Sequence, residues 1–205
     1  MKTLYINTVT PQTTIALYEE EQVLTEHRWP SEQNEAEKLQ PGVQKLLNDQ
    51  NLSIDDISRL VVCIGPGGFT SARIGVSAVN AWAFAKNIPV AQITVFDLYQ
   101  HPETIIIVSS NSHEGWVKLP HQEPAYLRLE DFKPPPQFSF AGLLHEGWRQ
   151  HLEKHGGTCI ELPELLAKLN QLEFQPGIVK PWYYKDANIT WSKKHGPVHR
   201  LDPDR

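Results

Sequence analysis

The stretch that most constrains this chain is Leu60–Ile93. Leu60–Ile64 is an unbroken apolar run, the mark of a strand covered on both faces. It ends in Gly65-Pro66-Gly67-Gly68, after which Thr70 or Ser71 is predicted to cap a helix reaching about Lys86. Asn87 and Pro89 stop that helix, and Pro89–Ile93 resumes a buried strand. A strand, a helix and a second strand in this order read as one βαβ unit, which favours an α/β class with at least part of its sheet parallel. The helix is rich in small residues. Gly75, Ala78, Ala81 and Ala85 fall near one face, which lets a neighbouring element approach closely.

The flanking sequence supplies the remaining elements. Lys2–Val9, Thr13–Tyr18 and Val23–Trp29 read as a meander, with turns at Pro11-Gln12 and Glu19-Glu20-Glu21. Asn34 and Glu37 have the spacing of a capping box. Leu39, Val43, Leu46 and Leu47 follow as an apolar stripe at helical spacing, and Pro41-Gly42 should bend or break that helix. Ser53–Ile57 suits a short helical turn. Thr104–Ser109, Gly115–Leu119 and Ala125–Leu129 form a second meander, and Pro134-Pro135-Pro136 is a rigid extended segment. A strand is expected at Phe138–Ala141, a helix over Leu143–His155 closed by Gly156-Gly157, and a strand at Thr158–Leu162. A last helix opens on Pro163 and runs to about Leu172. The two halves share an order of elements, which predicts a duplicated α/β fold of two small packed lobes, residues 1–96 and 97–205.

Composition excludes several classes. A chain of 205 residues with 40% hydrophobic residues can bury a core without disulfides or metals, and a net charge of −5 is too small for a disordered chain. No apolar run approaches the roughly 18 residues of a membrane span. Cys63 and Cys159 form no motif, which points to a reducing cytoplasm. Charge is uneven: residues 1–172 are acidic, whereas residues 173–205 carry six Lys and Arg against four Asp and Glu. That tail sets Trp182, Tyr183, Tyr184 and Trp191 among Lys180, Lys185, Lys193 and Lys194. Such a segment either stacks on RNA bases or straps its aromatics onto the body.

The search for chemistry returns little. The glycine turn lacks the Gly-Lys-Ser/Thr ending of a phosphate loop, and Gly65-x-Gly67 has no glycine at position 70 for a dinucleotide fingerprint. A tight turn for close packing is the favoured reading, with anion binding at the helix N-terminus as the alternative. His151-x3-His155 has the spacing of a helix-borne metal pair but offers no third ligand. Ser109, Ser110, Ser112 and His113 follow a strand, without the Gly-x-Ser-x-Gly elbow of a serine nucleophile. Phosphotransfer on a two-lobed sheet fold needs an Asp near the end of the first strand of each half, and these places hold Asn7 and Ser109-Ser110-Asn111. No catalytic residue and no metal ligand is therefore assigned. Asn7, Thr8, Gly67 and Gly68 are the candidates for holding a cofactor if one binds.

Gly65-Pro-Gly-Gly-Phe-Thr-Ser-Ala-Arg-Ile-Gly75 resembles the Gly-Pro-Gly-Ser-Phe-Thr-Gly-x-Arg-Ile-Gly signature of the TsaB (YeaZ) family of tRNA threonylcarbamoyladenosine biosynthesis. Ile6-Asn-Thr8 is similar to that family's Ile-Asp-Thr opening, and Asn34-Glu-Ala-Glu-Lys-Leu-Gln-Pro41 to its Asn-His-Ser-Glu-Arg-Leu-Leu-Pro. Asn87-Ile88-Pro89 matches the step into its next strand, and Pro181-Trp-Tyr-Tyr-Lys185 resembles its Pro-x-Tyr-Leu-Arg element. Asn7, Glu35, Gly68 and Ser71 stand where the family has Asp, His, Ser and Gly, and the second half departs around Ser109–Gly115.

The resemblance implies an actin-like fold of the acetate and sugar kinase type. It also implies a non-catalytic scaffold subunit for a TsaD-like catalytic paralogue, joined by a TsaE-like ATPase. No cofactor is expected on this chain, and ATP and a metal belong to the partner subunits. Contact with tRNA comes mainly through the complex, and a homodimer is the other assembly left open. By this resemblance the helices near 34–48 and 69–86 form the partner interface, with Leu39, Val43, Leu46, Phe69, Arg73, Ala78 and Ala81 on it. The rival reading from another class is an active small-molecule kinase or metallo-hydrolase on the same fold.

Overall fold

The computed structural model describes residues 1–32, 34–99, 101, 103–160 and 171–182. Two five-stranded sheets follow one plan. In the first, β1 (Lys2–Asn7), β2 (Gln12–Glu19), β3 (Gln22–Pro30), β4 (Arg59–Cys63) and β5 (Val90–Ile93) lie in the order β3-β2-β1-β4-β5. In the second, β6 (Thr104–Ser109), β7 (Glu114–Lys118), β8 (Ala125–Arg128), β9 (Phe138–Leu143) and β10 (Gly157–Cys159) lie in the order β8-β7-β6-β9-β10. The second order is the first repeated. Pairing agrees strand for strand: β1 is antiparallel to β2 and parallel to β4, and β6 is antiparallel to β7 and parallel to β9. This is the duplicated actin-like α/β fold.

The helices are α1 (Glu35–Asn48), α2 (Phe69–Lys86), the short α3 (Val95–Leu98) and α4 (Glu146–Lys154). α2 joins parallel β4 and β5, completing the βαβ unit, and α4 joins β9 and β10 in the corresponding place. Between β8 and β9 there is no counterpart of α1; a 3₁₀ turn at Leu129–Asp131 and the proline-rich segment fill that connection.

Alternation along the strands divides the core. Leu4, Ile6, Ile15, Leu17, Leu60 and Val62 face α1 and α2, meeting Leu39, Val43, Leu46, Val76 and Val79. Tyr5, Ala16, Tyr18, Val61 and Cys63 face the other way, into a cluster shared with Ile106, Val108, Trp116 and Ala141 of the second sheet. A third cluster lies beneath α4, where Trp148 and Leu152 pack on Ile105, Ile107 and Phe140.

Several local expectations need correction. Asn34 precedes α1 but makes no side-chain cap, and its carboxamide reaches Glu32 instead. α1 passes through Pro41 without a break. Gly42 is needed there because a Cβ would stand 3.1 Å from the ring of Trp29 on β3, so its absence lets helix and strand close up. α2 starts from Gly68, with neither Thr70 nor Ser71 as its cap. α4 begins at Glu146, since β9 extends through Leu143.

Residues 171–182 run back over the first lobe. Gln175 pairs with Val90 in an antiparallel bridge, the guanidinium of Arg59 lies 4.7 Å over the ring of Phe174, and the Trp182 N–H donates to the Ile64 carbonyl at 2.9 Å. The Trp182 indole packs against Phe96 and against Trp116 of the second lobe, with centroids 5.9 and 5.1 Å away. This part of the tail is a strap. The expected helix from Pro163, with Tyr183, Tyr184 and Trp191, lies outside the described residues. Among the described residues both cysteines are free, and no helix is long and apolar enough to cross a membrane.

Candidate functional site

At the end of β1 in the first lobe the polar side chains are engaged by the chain itself. Asn7 is fully buried. Its Oδ1 accepts from the Val9 amide at 2.9 Å and its Nδ2 donates to Thr10 Oγ1 at 3.0 Å. The Thr10 hydroxyl spends its one proton on the Gln12 carbonyl. Thr8, also fully buried, donates to the Ser71 carbonyl at 2.6 Å, which fixes β1 to the first turn of α2. Gly67 is held against Val9, whose Cγ1 would overlap a Cβ placed there. Asn7 and Thr8 thus have their polar groups committed within the fold, while Gly67, for all its contact with Val9, and Gly68 are both exposed.

Glu35, which the sequence reading left out of the candidate residues, belongs to this constellation. Its side chain is buried, accepts from the Ser31 hydroxyl and lies 3.4 Å from Ser71 Oγ. A carboxylate therefore already stands against the first turn of α2, the end where a helix attracts an anion. A phosphate approaching that turn would meet a like charge. The signal for Glu35 was its polarity at a position one turn before Leu39 on the apolar stripe.

The second lobe repeats the arrangement without its charge. Ser109 Oγ donates to the Leu143 carbonyl at 2.9 Å and accepts from the His145 amide at 2.6 Å. Asn111 Oδ1 accepts from the His113 and Glu114 amides, shaping the β6–β7 turn. Ser109 is thus a structural bridge. His151 on α4 and His155, the residue that caps its C-terminus, lie together, and among the described residues no group of three or more His, Cys, Asp or Glu side chains is placed to hold a metal.

The residues expected at a partner interface separate into two sets. Leu39, Val43 and Leu46 are almost wholly buried against the first sheet. This corrects their assignment: an amphipathic stripe has the same spacing whether it covers a core or a partner, and here it covers the core. Phe69, Arg73 and Ala81 lie on the outer face of α2, with Ala78 half-buried at its border. Arg73 places its guanidinium 5.1 Å from the ring of Phe69. Phe84, absent from the sequence-based set, is 87% exposed on the same helix, and Phe69 is 42% exposed. Spacing hid Phe84, because a helix rich in small apolar residues shows little asymmetry between its faces.

The family model described as TsaD, tRNA N6-adenosine threonylcarbamoyltransferase, matches residues 30–106. The tRNA threonylcarbamoyladenosine biosynthesis protein TsaB of Bacillus subtilis is 34% identical over 94 residues, covering 46% of this chain and 41% of that protein. TsaB of Escherichia coli is 29% identical over 94 residues, 46% of this chain and 40% of the relative. The matched stretch thus spans about two fifths of these curated relatives. Among solved structures, an uncharacterized protein with similarity to peptidase YeaZ from Pseudomonas aeruginosa superimposes with a TM-score of 0.69 at 20% identity, covering 90% of this chain and 99% of that one. YeaZ from Pseudomonas aeruginosa gives a TM-score of 0.59 at 22% identity, over 69% of this chain and 76% of that one.

Proposed function

We propose that this chain, similar to TsaB proteins over its first lobe, is a non-catalytic subunit of the machinery that forms N6-threonylcarbamoyladenosine in tRNA, binding a TsaD-like catalytic subunit. The observation that carries the reading is the outer face of α2, where Phe84 and Phe69 expose large apolar surface beside Ala81 and Arg73. Apolar side chains this exposed gain by being covered, and small residues between them let a second helix approach. The TsaD model matches this same lobe, so a TsaD-like partner carries a related one. Two related lobes can meet helix to helix about a pseudo-two-fold axis, as identical ones do in an isologous dimer.

The enclosed Asn7 and the carboxylate of Glu35 at the α2 N-terminus support a subunit that leaves nucleotide and metal to its partners. In this reading ATP acts through a TsaE-like ATPase and the TsaD-like subunit. The same face of α2 serves a homodimer when the chain is alone, and tRNA is contacted through the complex. Reconstitution tests the proposal. The TsaD-like and TsaE-like proteins of the same genome, supplied with threonylcarbamoyl-adenylate and unmodified tRNA, are expected to form the modified base only when this chain is added. Equal modification without it would overturn the role.

A further inference from the structure

The C-terminal end of α4 and its cap carry two imidazoles that neither the core nor the proposed partner face uses. His151 and His155 are one turn apart, with ring centroids 4.3 Å from each other and planes inclined by 33°. His155 Nδ1 lies 2.8 Å from the His151 carbonyl oxygen. A carbonyl only accepts, so Nδ1 carries the proton and the Nε2 lone pair of His155 is left for coordination. A ring N–H donated to a backbone carbonyl is the usual support of a metal-bound histidine.

The surroundings suit a cation that keeps part of its water shell. His151 lines an open depression of about 590 Å³ together with His113, Glu114, Arg128 and Glu130, which has room for solvent ligands; Arg128 pairs with Glu130, and Tyr126 donates to Glu114. Bonds of about 2.0–2.1 Å from two imidazoles need ring nitrogens roughly 3 Å apart. With the ring centroids 4.3 Å apart, coordination requires rotation about the soft χ2 torsions to bring the nitrogens to that separation. Lys154 opposes a cation here, so the site requires a metal with strong affinity for imidazole.

We propose that His151 and His155 form a two-imidazole chelate for one divalent transition-metal ion, with solvent completing its coordination. Imidazole ligands select copper, nickel and zinc over magnesium or calcium, which take oxygen. The inference is independent of the partner role and concerns the opposite lobe from α2.

Calorimetric titration of the full, tag-free chain with NiCl₂, and in parallel with MgCl₂, tests it. One nickel ion per chain is expected, with a dissociation constant in the micromolar range, and no magnesium binding. His155→Asn keeps a residue suited to a helix end, and His151→Gln keeps a helix former. Each should weaken nickel about tenfold or more, with thermal melting in a metal chelator showing that the variants fold. Nickel binding unchanged in both variants, or wild-type binding weaker than about 1 mM, would overturn the proposal.

Discussion

Gly75 and Thr8 are in contact through an absence: a Cβ on Gly75 would stand 2.5 Å from Thr8 Oγ1, the hydroxyl that binds the Ser71 carbonyl. The first strand can reach the third residue of α2 only because the helix carries glycine one turn later. The second lobe uses the same device more loosely, with the Ser112 carbonyl 3.1 Å from a Cβ on Gly147 of α4. Gly75→Ala gains about 1 kcal/mol of helix propensity, yet overpacking should reverse the sign. The variant is expected to lose about 1–3 kcal/mol in urea denaturation. Adding Thr8→Ala should recover part of the loss, since the two side chains compete for one space.

Asn7 ends the first strand with a neutral carboxamide, and its surroundings explain why an acid does not fit there. Thr10 Oγ1 must accept from residue 7 because its own proton is committed to Gln12. An ionised aspartate in this place has no proton to give and would be buried without a cation among its described partners. Asn7→Asp is expected to cost about 2 kcal/mol or more at neutral pH. The cost should shrink as pH falls towards the ordinary carboxylate range near 4, where the protonated acid can donate to Thr10. Urea denaturation across pH checks the sign.

The strap is fixed to α2 by one side chain. Asn80 Nδ2 donates to the Val179 carbonyl and its Oδ1 accepts from the Val179 amide, both at 2.9 Å. Asn80→Ala should cost about 1–2 kcal/mol and sharply increase amide exchange at Val179, while exchange in β1 and β4 follows only the global loss. Val179 exchange equal to that of the parent protein would show that the strap holds without the clamp.

Tyr18 makes stability fall at alkaline pH. Burial on β2 pushes its phenol up to about 12, with the nearby Arg28 partly opposing the rise. The folded chain favours the protonated form, so this contribution is complete below the ordinary pKa near 10 and is lost as pH rises towards 12. Tyr18→Phe keeps the ring and removes the titration. The difference in urea midpoint between parent and variant should therefore change in favour of the variant across that window and stay constant from pH 6 to about 9.

The elements were legible wherever one face of a strand or helix is repeatedly apolar. The βαβ unit, both meanders and the duplication could be read because β-branched runs and glycine turns act locally. The direction of an apolar face was not legible: Leu39, Val43 and Leu46 read equally well as core or interface, and only the first sheet decides between them. Glu35 was missed because its partners, Ser31 and Ser71, come together through folding. A strap was one of the two readings of the aromatic tail, but its anchor on α2 was not legible. That anchor joins Val179 to the Asn80 side chain, 99 residues away in sequence, and leaves no periodicity to detect.

The central claim is that the outer face of α2 receives a TsaD-like subunit, and Phe84 is its most exposed apolar residue. A surface substitution there should change folding stability by no more than about 0.5 kcal/mol, so Phe84→Glu isolates association from folding. The direct measurement is light scattering on size-exclusion eluates of this chain mixed with the TsaD-like protein of its own genome, with and without ATP and Mg²⁺. The account predicts a heterodimer with the parent chain and its loss, or at least a tenfold weaker complex, with Phe84→Glu. A heterodimer equally stable with the variant would contradict the placement of the interface. No complex with the parent chain under either condition would contradict the scaffold role itself.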